Sequence, residues 1–75
     1  MLLAYRLRKI REAKKLTQED AAFYCGISPS AYGQIERNAH KSTFETLIKI
    51  ANALDVSIPF LVDVNSQYFI DKNKL

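Results

Sequence analysis

With 75 residues, the chain has room for one small domain but not for a separate catalytic or ligand-sensing domain, and an apolar fraction of 48% excludes a disordered chain. Its net charge of +3 is mild, and the single cysteine, Cys25, excludes an intramolecular disulfide. The first residues become charged too early for a secretory signal and no apolar run reaches membrane-spanning length, so we expect a cytoplasmic protein with no membrane contact. No Cys/His set has the spacing of zinc ligands, so no metal site or cofactor is expected.

The first segment predicts an amphipathic helix over residues 2–15. Leu3, Leu7 and Ile10 recur at helical spacing and form its apolar side. The same stretch holds six basic residues, which are Arg6, Arg8, Lys9, Arg11, Lys14 and Lys15. A basic segment attracts phosphate, but most charged runs only solvate a helix face, so this feature favours nucleic acid weakly.

Two short helices joined by a tight turn follow. Thr17 and Asp20 have the spacing of a capping box, and Gly26 suits the left-handed residue that ends a helix. Ser28 is placed to cap the next helix, with Pro29 at its first position. Helix, tight turn and helix are the layout of a helix-turn-helix whose second helix enters the DNA major groove.

The end of that second helix and the start of the next carry their own signals. Tyr32 and Ile35 face inward, and Asn38 is predicted to take the left-handed conformation that ends the helix. A polar loop covers residues 39–42. The spacing of Ser42 and Glu45 predicts a capping box that opens a fourth helix. Its buried stripe is Leu47, Ile50 and Leu54.

A short fifth helix is predicted to start at Ser57, with Pro59 in its first turn. It carries Ile58, Phe60, Leu61 and Val64. Residues 1–64 are therefore expected to form the domain, and residues 65–75 a short C-terminal tail. For that tail the sequence leaves a strand, a helix extension and a flexible end open.

These segments, in this order, resemble the Cro/repressor-type helix-turn-helix family, also called the xenobiotic-response-element type. The resemblance covers residues 6–62. The segments that carry it are 7–12, 16–19, 26–28, 35–37 and 47–54. It implies an all-α fold, namely a compact five-helix, lambda-repressor-like helix-turn-helix domain with a short C-terminal tail.

The resemblance also implies which residues meet DNA. Helix 28–37 corresponds to the recognition helix, and the residues at its base-facing positions are Pro29, Ser30, Gly33 and Gln34. The amide of Gln34 matches the N6 and N7 atoms of adenine, and the alternative is a glutamine that is only solvated. Because Pro29 and Gly33 replace side chains that often contact bases in the family, DNA shape is expected to contribute to specificity.

Further family positions imply contacts to the DNA backbone and one structural pair. Gln18, at the start of the preceding helix, matches a phosphate-binding glutamine, and residues 40–43 match a second backbone-binding segment. The predicted phosphate contacts are Gln18, Arg37, His40, Lys41, Ser42 and Thr43, although His40 and Arg37 equally suit plain surface residues. Arg11 and Glu36 match an ion pair that ties the first helix to the third.

Other positions depart from the family pattern. Ala21 and Cys25 stand where larger aliphatic residues are usual, so Phe23 and Tyr24 are predicted to fill that part of the core. Asn38 and Asp55 replace common glycines, and Ser42 replaces a common proline. Cys25 is expected to be a buried small apolar residue.

Two functions remain open on the sequence alone. The first is a homodimeric repressor that binds a pseudo-palindromic operator in double-stranded DNA. The expected dimer surface is Phe60, Leu61, Val64, Tyr68 and Phe69, unless these residues only complete the core. The second is an antitoxin-like module that binds a protein partner. No pattern indicates an enzyme, because the chain has no carboxylate pair, activated nucleophile, metal set or phosphate-binding glycine loop of convincing spacing.

Overall fold

A computed structural model describes residues 2–63, and within them the chain forms five α-helices and no strand. The helices are α1 (Leu2–Ala13), α2 (Gln18–Cys25), α3 (Pro29–Arg37), α4 (Phe44–Leu54) and α5 (Ile58–Val62). A single 3-10 turn, Ala39–Lys41, connects α3 to α4. The all-α, five-helix prediction is confirmed. Val64 and the predicted tail, residues 65–75 with Tyr68 and Phe69, lie outside the described residues.

Side-chain caps start the helices largely as the sequence predicts. The Thr17 hydroxyl accepts a hydrogen bond from the Asp20 amide at 3.0 Å, and the Asp20 carboxylate accepts one from the Thr17 amide at 2.9 Å. The Ser28 hydroxyl caps α3 through the Ala31 amide at 3.1 Å. Each cap provides an acceptor for an amide that has no partner within its helix.

The predicted cap of α4 is wrong by one residue. Thr43, and not Ser42, is the N-cap, and its hydroxyl accepts from the Thr46 amide at 3.2 Å. The Ser42 amide donates to the Ala39 carbonyl at 3.0 Å and closes the 3-10 turn, so it is not free to donate to the Glu45 carboxylate as the predicted capping box requires. The helix therefore begins one residue later, and Glu45 takes no part in a capping box.

Left-handed residues end α1, α2 and α4 in the same way. Lys15, Gly26 and Asp55 have φ values of 62°, 74° and 58°. After each of them, the next amide reaches back five residues: Leu16 to Arg11 (3.1 Å), Ile27 to Ala22 (3.1 Å) and Val56 to Ala51 (3.0 Å). This pattern is the Schellman motif, which pairs carbonyls left free at a helix end.

The prediction that Asn38 adopts the left-handed conformation is wrong. Its φ is −114°, and its side-chain amide donates to the Gln34 carbonyl at 3.1 Å. The chain continues from Asn38 directly into the 3-10 turn, so no left-handed reversal is required there. At the end of α1, Lys15 takes the left-handed conformation, so that helix ends at Ala13 and not at the predicted residue 15.

Two alanines of α2 and a tyrosine of α3 form the core where α2 packs against α3 and α4. Ala21, Ala22 and Tyr32 are all 0% exposed. The prediction that Phe23 and Tyr24 fill this space is wrong, because they are 79% and 63% exposed. When positions 21, 22 and 25 of a helix point inward, its 3.6-residue period turns positions 23 and 24 outward. The ring of Tyr32 supplies the missing volume from α3.

Helix α5 closes the core against α1 and α4. Leu61 is 0% exposed, so its predicted place in a dimer surface is wrong: its side chain completes the core of its own chain. Arg6, also wholly buried, donates from Nε to the Phe60 carbonyl at 2.9 Å, and its guanidinium lies 4.5 Å from the Phe60 ring centroid. This contact fixes α5 on α1 and leaves Phe60 only partly exposed.

Candidate nucleic-acid interface

Helix α3, the predicted recognition helix, presents Pro29, Ser30 and Gln34 to solvent. Ser28 caps the start of the helix, and Pro29 occupies a first-turn position where its missing N–H costs no backbone hydrogen bond. Ser30 and Gln34 are four residues apart and therefore lie on one side of the helix. The exposed row that sequence analysis assigned to base contacts is thus free of intramolecular packing at these three positions.

Gly33 differs from the other three because it is buried. A Cβ atom at this position would lie 3.3 Å from Nη1 of Arg37 and 3.5 Å from Oε1 of Gln18. The glycine therefore leaves room for these two side chains to lie across α3. Its contribution to an interface is space for Gln18 and Arg37, since its own backbone is covered by them.

A buried polar network centred on Glu36 joins the first three helices. The residues predicted as an ion pair lie together: Arg11 Nε donates to Oε2 of Glu36 at 2.9 Å, and Arg11 Nη2 donates to Oε1 at 3.2 Å. The Tyr32 hydroxyl donates to Oε2 at 2.9 Å, and Gln18 Nε2 donates to Oε1 at 3.2 Å. Both oxygens of the carboxylate are therefore paired twice.

The network also shifts the pKa values of Tyr32 and Arg11. Burial raises the pKa of Tyr32 far above its ordinary value, and the neighbouring Glu36 carboxylate raises it further. Burial lowers the pKa of Arg11, but its hydrogen bond to Glu36 and the charge of that carboxylate outweigh burial, so the net shift is upward. Tyr32 therefore stays a neutral donor and Arg11 a full cation across the physiological range.

Gln18, the predicted phosphate contact, is oriented by this network. It is the first residue of α2, where free amides and the positive end of the helix favour an anion. Its bond to Glu36 fixes the direction of the side-chain amide, and its Oε1 atom lies over Gly33. The side chain is half-buried and therefore largely preorganised before any ligand arrives.

A shallow cleft between α3 and α4 gathers most of the other predicted contacts. This α3–α4 cleft has a volume of about 280 Å³. Its polar lining is Gln34, Asn38, Lys41, Ser42, Thr43 and Thr46. A base-contact candidate, Gln34, therefore lies next to three phosphate candidates. His40 is exposed on the 3-10 turn but does not line the cleft, and the Thr43 hydroxyl is already engaged in capping α4.

A second, larger cleft lies between α1 and α3. This α1–α3 cleft has a volume of about 640 Å³ and is open to solvent. It is lined by Ala4, Tyr5, Arg8, Gln18, Glu36 and Arg37. Sequence analysis counted Arg8 only as part of a basic run and gave Tyr5 no role. A signal was present in the sequence, because Ala4 and Tyr5 precede Arg8 by four and three residues. The three residues therefore form a second stripe on α1, beside Leu3, Leu7 and Ile10.

Two further kinds of site were sought among residues 2–63. No group of three or more metal-ligating side chains occurs there, and no helix in that range is long and apolar enough to cross a membrane. Cys25 is half-buried, its Sγ lies 3.8 Å from the Lys49 carbonyl, and burial raises its pKa, opposed by Lys49. A raised pKa keeps the thiol protonated and lowers its reactivity.

The fold and this surface define the class of protein, and comparison with known proteins supports the same assignment. A helix-turn-helix family model matches residues 7–61 of the chain. The chain belongs to the Cro/repressor-type helix-turn-helix family of DNA-binding transcription regulators. No solved structure gives a significant match.

Several curated proteins are similar in sequence. The uncharacterized HTH-type transcriptional regulator YqaE of Bacillus subtilis is 40% identical over 70 residues, which cover 91% of this chain and 60% of that protein. YobD of the same organism, also an uncharacterized HTH-type transcriptional regulator, is 39% identical over 57 residues, which cover 76% of this chain and 51% of that protein. The control protein C.SmaI of Serratia marcescens is 36% identical over 61 residues, which cover 81% of this chain and 73% of that protein. The chain thus spans only 60% and 51% of the two B. subtilis relatives.

Proposed function

We propose that this protein is a transcriptional repressor that binds a pseudo-palindromic DNA operator as a homodimer. The observation that carries the proposal is the solvent-facing row of α3, with Gln34 beside the α3–α4 cleft and its Lys41 ammonium group. A polar side chain able to contact a base edge thus lies next to a cation able to contact the phosphate backbone. The family membership supports the same function.

In this proposal the contacts divide into two kinds. Gln34 pairs with an adenine through its amide, Ser30 contacts a base or a phosphate, and Pro29 contacts a thymine methyl group. Phosphates are bound by Gln18, Arg37, His40, Lys41, Ser42 and Thr43, which set the position of the domain without selecting sequence. With only one long polar side chain in the exposed row, DNA shape contributes to specificity.

Dimerisation is proposed because one short recognition helix covers few base pairs. Two copies related by a two-fold axis present their α3 helices to successive major grooves about 34 Å apart. On the described part of α5, Val62 is 38% exposed and offers an apolar contact. Phe60 is partly exposed but, two residues earlier, lies on a different side of the helix. Leu61 is excluded from that contact by its burial.

A second candidate function is a module that binds a protein partner. Phe23 and Tyr24 favour it, because two large aromatic side chains lie side by side on the outside of α2, with ring centroids 5.6 Å apart. Exposed aromatic pairs are typical of protein contact surfaces. Co-purification of a second chain at fixed stoichiometry, lost on replacing both aromatics by serine, would support this candidate.

Selection of random duplex DNA by the purified protein at physiological salt tests the repressor proposal. We expect enrichment of a two-fold-symmetric motif whose half-sites are about one helical turn apart. The variant Gln34→Ala should relax the preference at one position of each half-site, whereas Asn52→Ala, on the exposed side of α4, should leave the motif unchanged. Recovery of unsorted sequences, with binding lost as salt rises, would contradict sequence-specific recognition.

A further inference from the structure

The α1–α3 cleft carries positive charge that the fold does not neutralise. Arg8 and Arg37 line it, and within residues 2–63 neither arginine forms an ion pair. Glu36 also lines the cleft, but Arg11, Tyr32 and Gln18 already donate to both of its oxygens. The charge of Glu36 is therefore compensated by Arg11, and the two remaining guanidinium groups make the cleft net positive.

Local packing holds both guanidinium groups at the cleft. The absence of a side chain at Gly33 allows Arg37 Nη1 and Gln18 Oε1 to approach α3 closely. On the other wall, Arg8 Cζ lies 6.0 Å from the centroid of the Tyr5 ring, a distance at which a cation and an aromatic face attract each other. Two cations and one oriented amide therefore border the same open space.

We propose that the α1–α3 cleft binds one phosphate of the DNA backbone, held by Arg8 and Arg37 beside Gln18. A guanidinium group donates in a planar fork that matches phosphate oxygens, and the cleft is open enough for a group that remains part of a duplex. This inference rests on the proposed DNA binding. It adds Arg8 and helix α1 to the interface and gives Gly33 the role of admitting Arg37.

The test compares Arg8→Gln with Lys49→Gln over a series of salt concentrations. Both variants remove one exposed positive charge, but Lys49 on α4 lines neither the α1–α3 nor the α3–α4 cleft. On a duplex that the wild type binds, Arg8→Gln should weaken binding roughly tenfold at low salt and reduce the slope of log K against log salt by about 1. Lys49→Gln should leave the slope unchanged.

Two further variants make the assignment specific. Arg8→Gln should weaken an operator and an unrelated duplex by the same factor, because a phosphate contact carries no sequence information. The losses from Arg8→Gln and Arg37→Gln should not add in the double variant, since both side chains contact one phosphate. Gly33→Val should reduce the salt slope in the same way, with thermal unfolding recorded to confirm that the variant is folded.

The outcomes separate this inference from the proposed function. If the wild type binds a symmetric operator while Arg8→Gln behaves as Lys49→Gln does, the cleft assignment is wrong and the repressor proposal stands. If only unsorted duplexes bind but Arg8→Gln still reduces the slope, the cleft is supported and sequence-specific recognition is contradicted. In an NMR titration with inorganic phosphate, the backbone amide signals of Gln18 and Arg37 could shift to a plateau. If they do so while Arg8→Gln leaves duplex affinity unchanged, the ligand is free phosphate and the DNA assignment is wrong.

Discussion

Glu36 shows how a single side chain connects stability and function in this protein. Its carboxylate is 3% exposed and accepts four hydrogen bonds, from Arg11, Tyr32 and Gln18. A buried charge is tolerated only when its partners replace the water that it has lost. The same carboxylate orients Gln18 at the start of α2, so the group that stabilises the core also preorganises a proposed phosphate contact.

Glu36→Ala should therefore destabilise the fold strongly. Removing the carboxylate leaves the buried residue Arg11, which is 7% exposed, without its counter-charge, and such a loss costs about 3–5 kcal/mol. Urea unfolding followed by circular dichroism measures the change. The exposed Glu45→Gln serves as the control and should change the free energy of unfolding by less than about 1 kcal/mol. Equal stability of Glu36→Ala and the wild type would contradict this account of the network.

Because of Tyr32, the free energy of unfolding should decrease at alkaline pH. Because its folded pKa is raised by burial and by Glu36, the folded protein keeps the phenolic proton at a pH where the unfolded chain loses it. The contribution is fully present below the unfolded pKa of about 10 and is lost as pH rises beyond it. In the wild type the free energy of unfolding should fall by up to about 1.4 kcal/mol per pH unit more than in Tyr32→Phe. Parallel pH profiles of the two proteins, measured by urea unfolding, would exclude this effect.

At the scale of the elements, the ends of the helices are decided by hydrogen bonding more than by residue type. Three helices end in the same Schellman pattern, yet the left-handed position is a glycine in only one of them. Lys15 adopts the conformation despite a Cβ atom that makes it costly, because Leu16 must turn back to pack beside the core and its amide must reach the Arg11 carbonyl.

Lys15→Gly should accordingly stabilise the protein. A non-glycine residue in the left-handed region costs about 1–2 kcal/mol, and the greater freedom of glycine in the unfolded chain offsets part of this gain. We expect a net increase of about 0.5–1 kcal/mol, which for a domain of this size raises the midpoint of thermal unfolding by several degrees. Calorimetry measures it. Ala13→Gly, in the last turn of α1, should have the opposite sign, and a loss of stability in Lys15→Gly would refute the strain argument.

At the scale of the whole molecule, the exposed apolar residues are scattered over several helices. They are Leu2 and Tyr5 on α1, Phe23 and Tyr24 on α2, Phe44 and Ile48 on α4, and Val62 on α5. On α5, Leu61 is buried in the core, which leaves Val62 as the exposed large apolar side chain of that helix. We propose the dimer contact at α5, the helix to which sequence analysis assigned it, and assign the α2 aromatics to the competing protein-binding function.

Val62→Asp should weaken self-association without unfolding the domain. A carboxylate on a side chain that is 38% exposed costs little in the monomer but is unfavourable inside an apolar contact. Sedimentation equilibrium should show a shift toward monomer, and operator binding should become weaker and more dependent on protein concentration. Ile48→Asp, at 37% exposure, is the matched control. If both variants associate as the wild type does, α5 is not the dimer contact.

Local patterns were sufficient to predict the helices and most of their caps. Thr17 with Asp20, and Ser28 with Pro29, are signals in which the residue itself provides the hydrogen bond or the backbone angle. The errors have a common cause. The Ser42–Glu45 capping box does not form because the Ser42 amide closes the preceding turn, and Asn38 needs no left-handed angle because the chain continues into that turn. Both outcomes depend on where the neighbouring element lies.

The sequence by itself determined the family, the order of the helices and the residue types of the exposed row on α3, since these depend on short-range spacing and on capping chemistry. Only the tertiary structure decided that Tyr32 fills the core beside Ala21, that Leu61 is buried and that Gly33 lies beneath Arg37. Burial and cleft formation arise when separate helices pack. A residue's place in such contacts depends on side chains that are distant along the chain, and no local pattern encodes them.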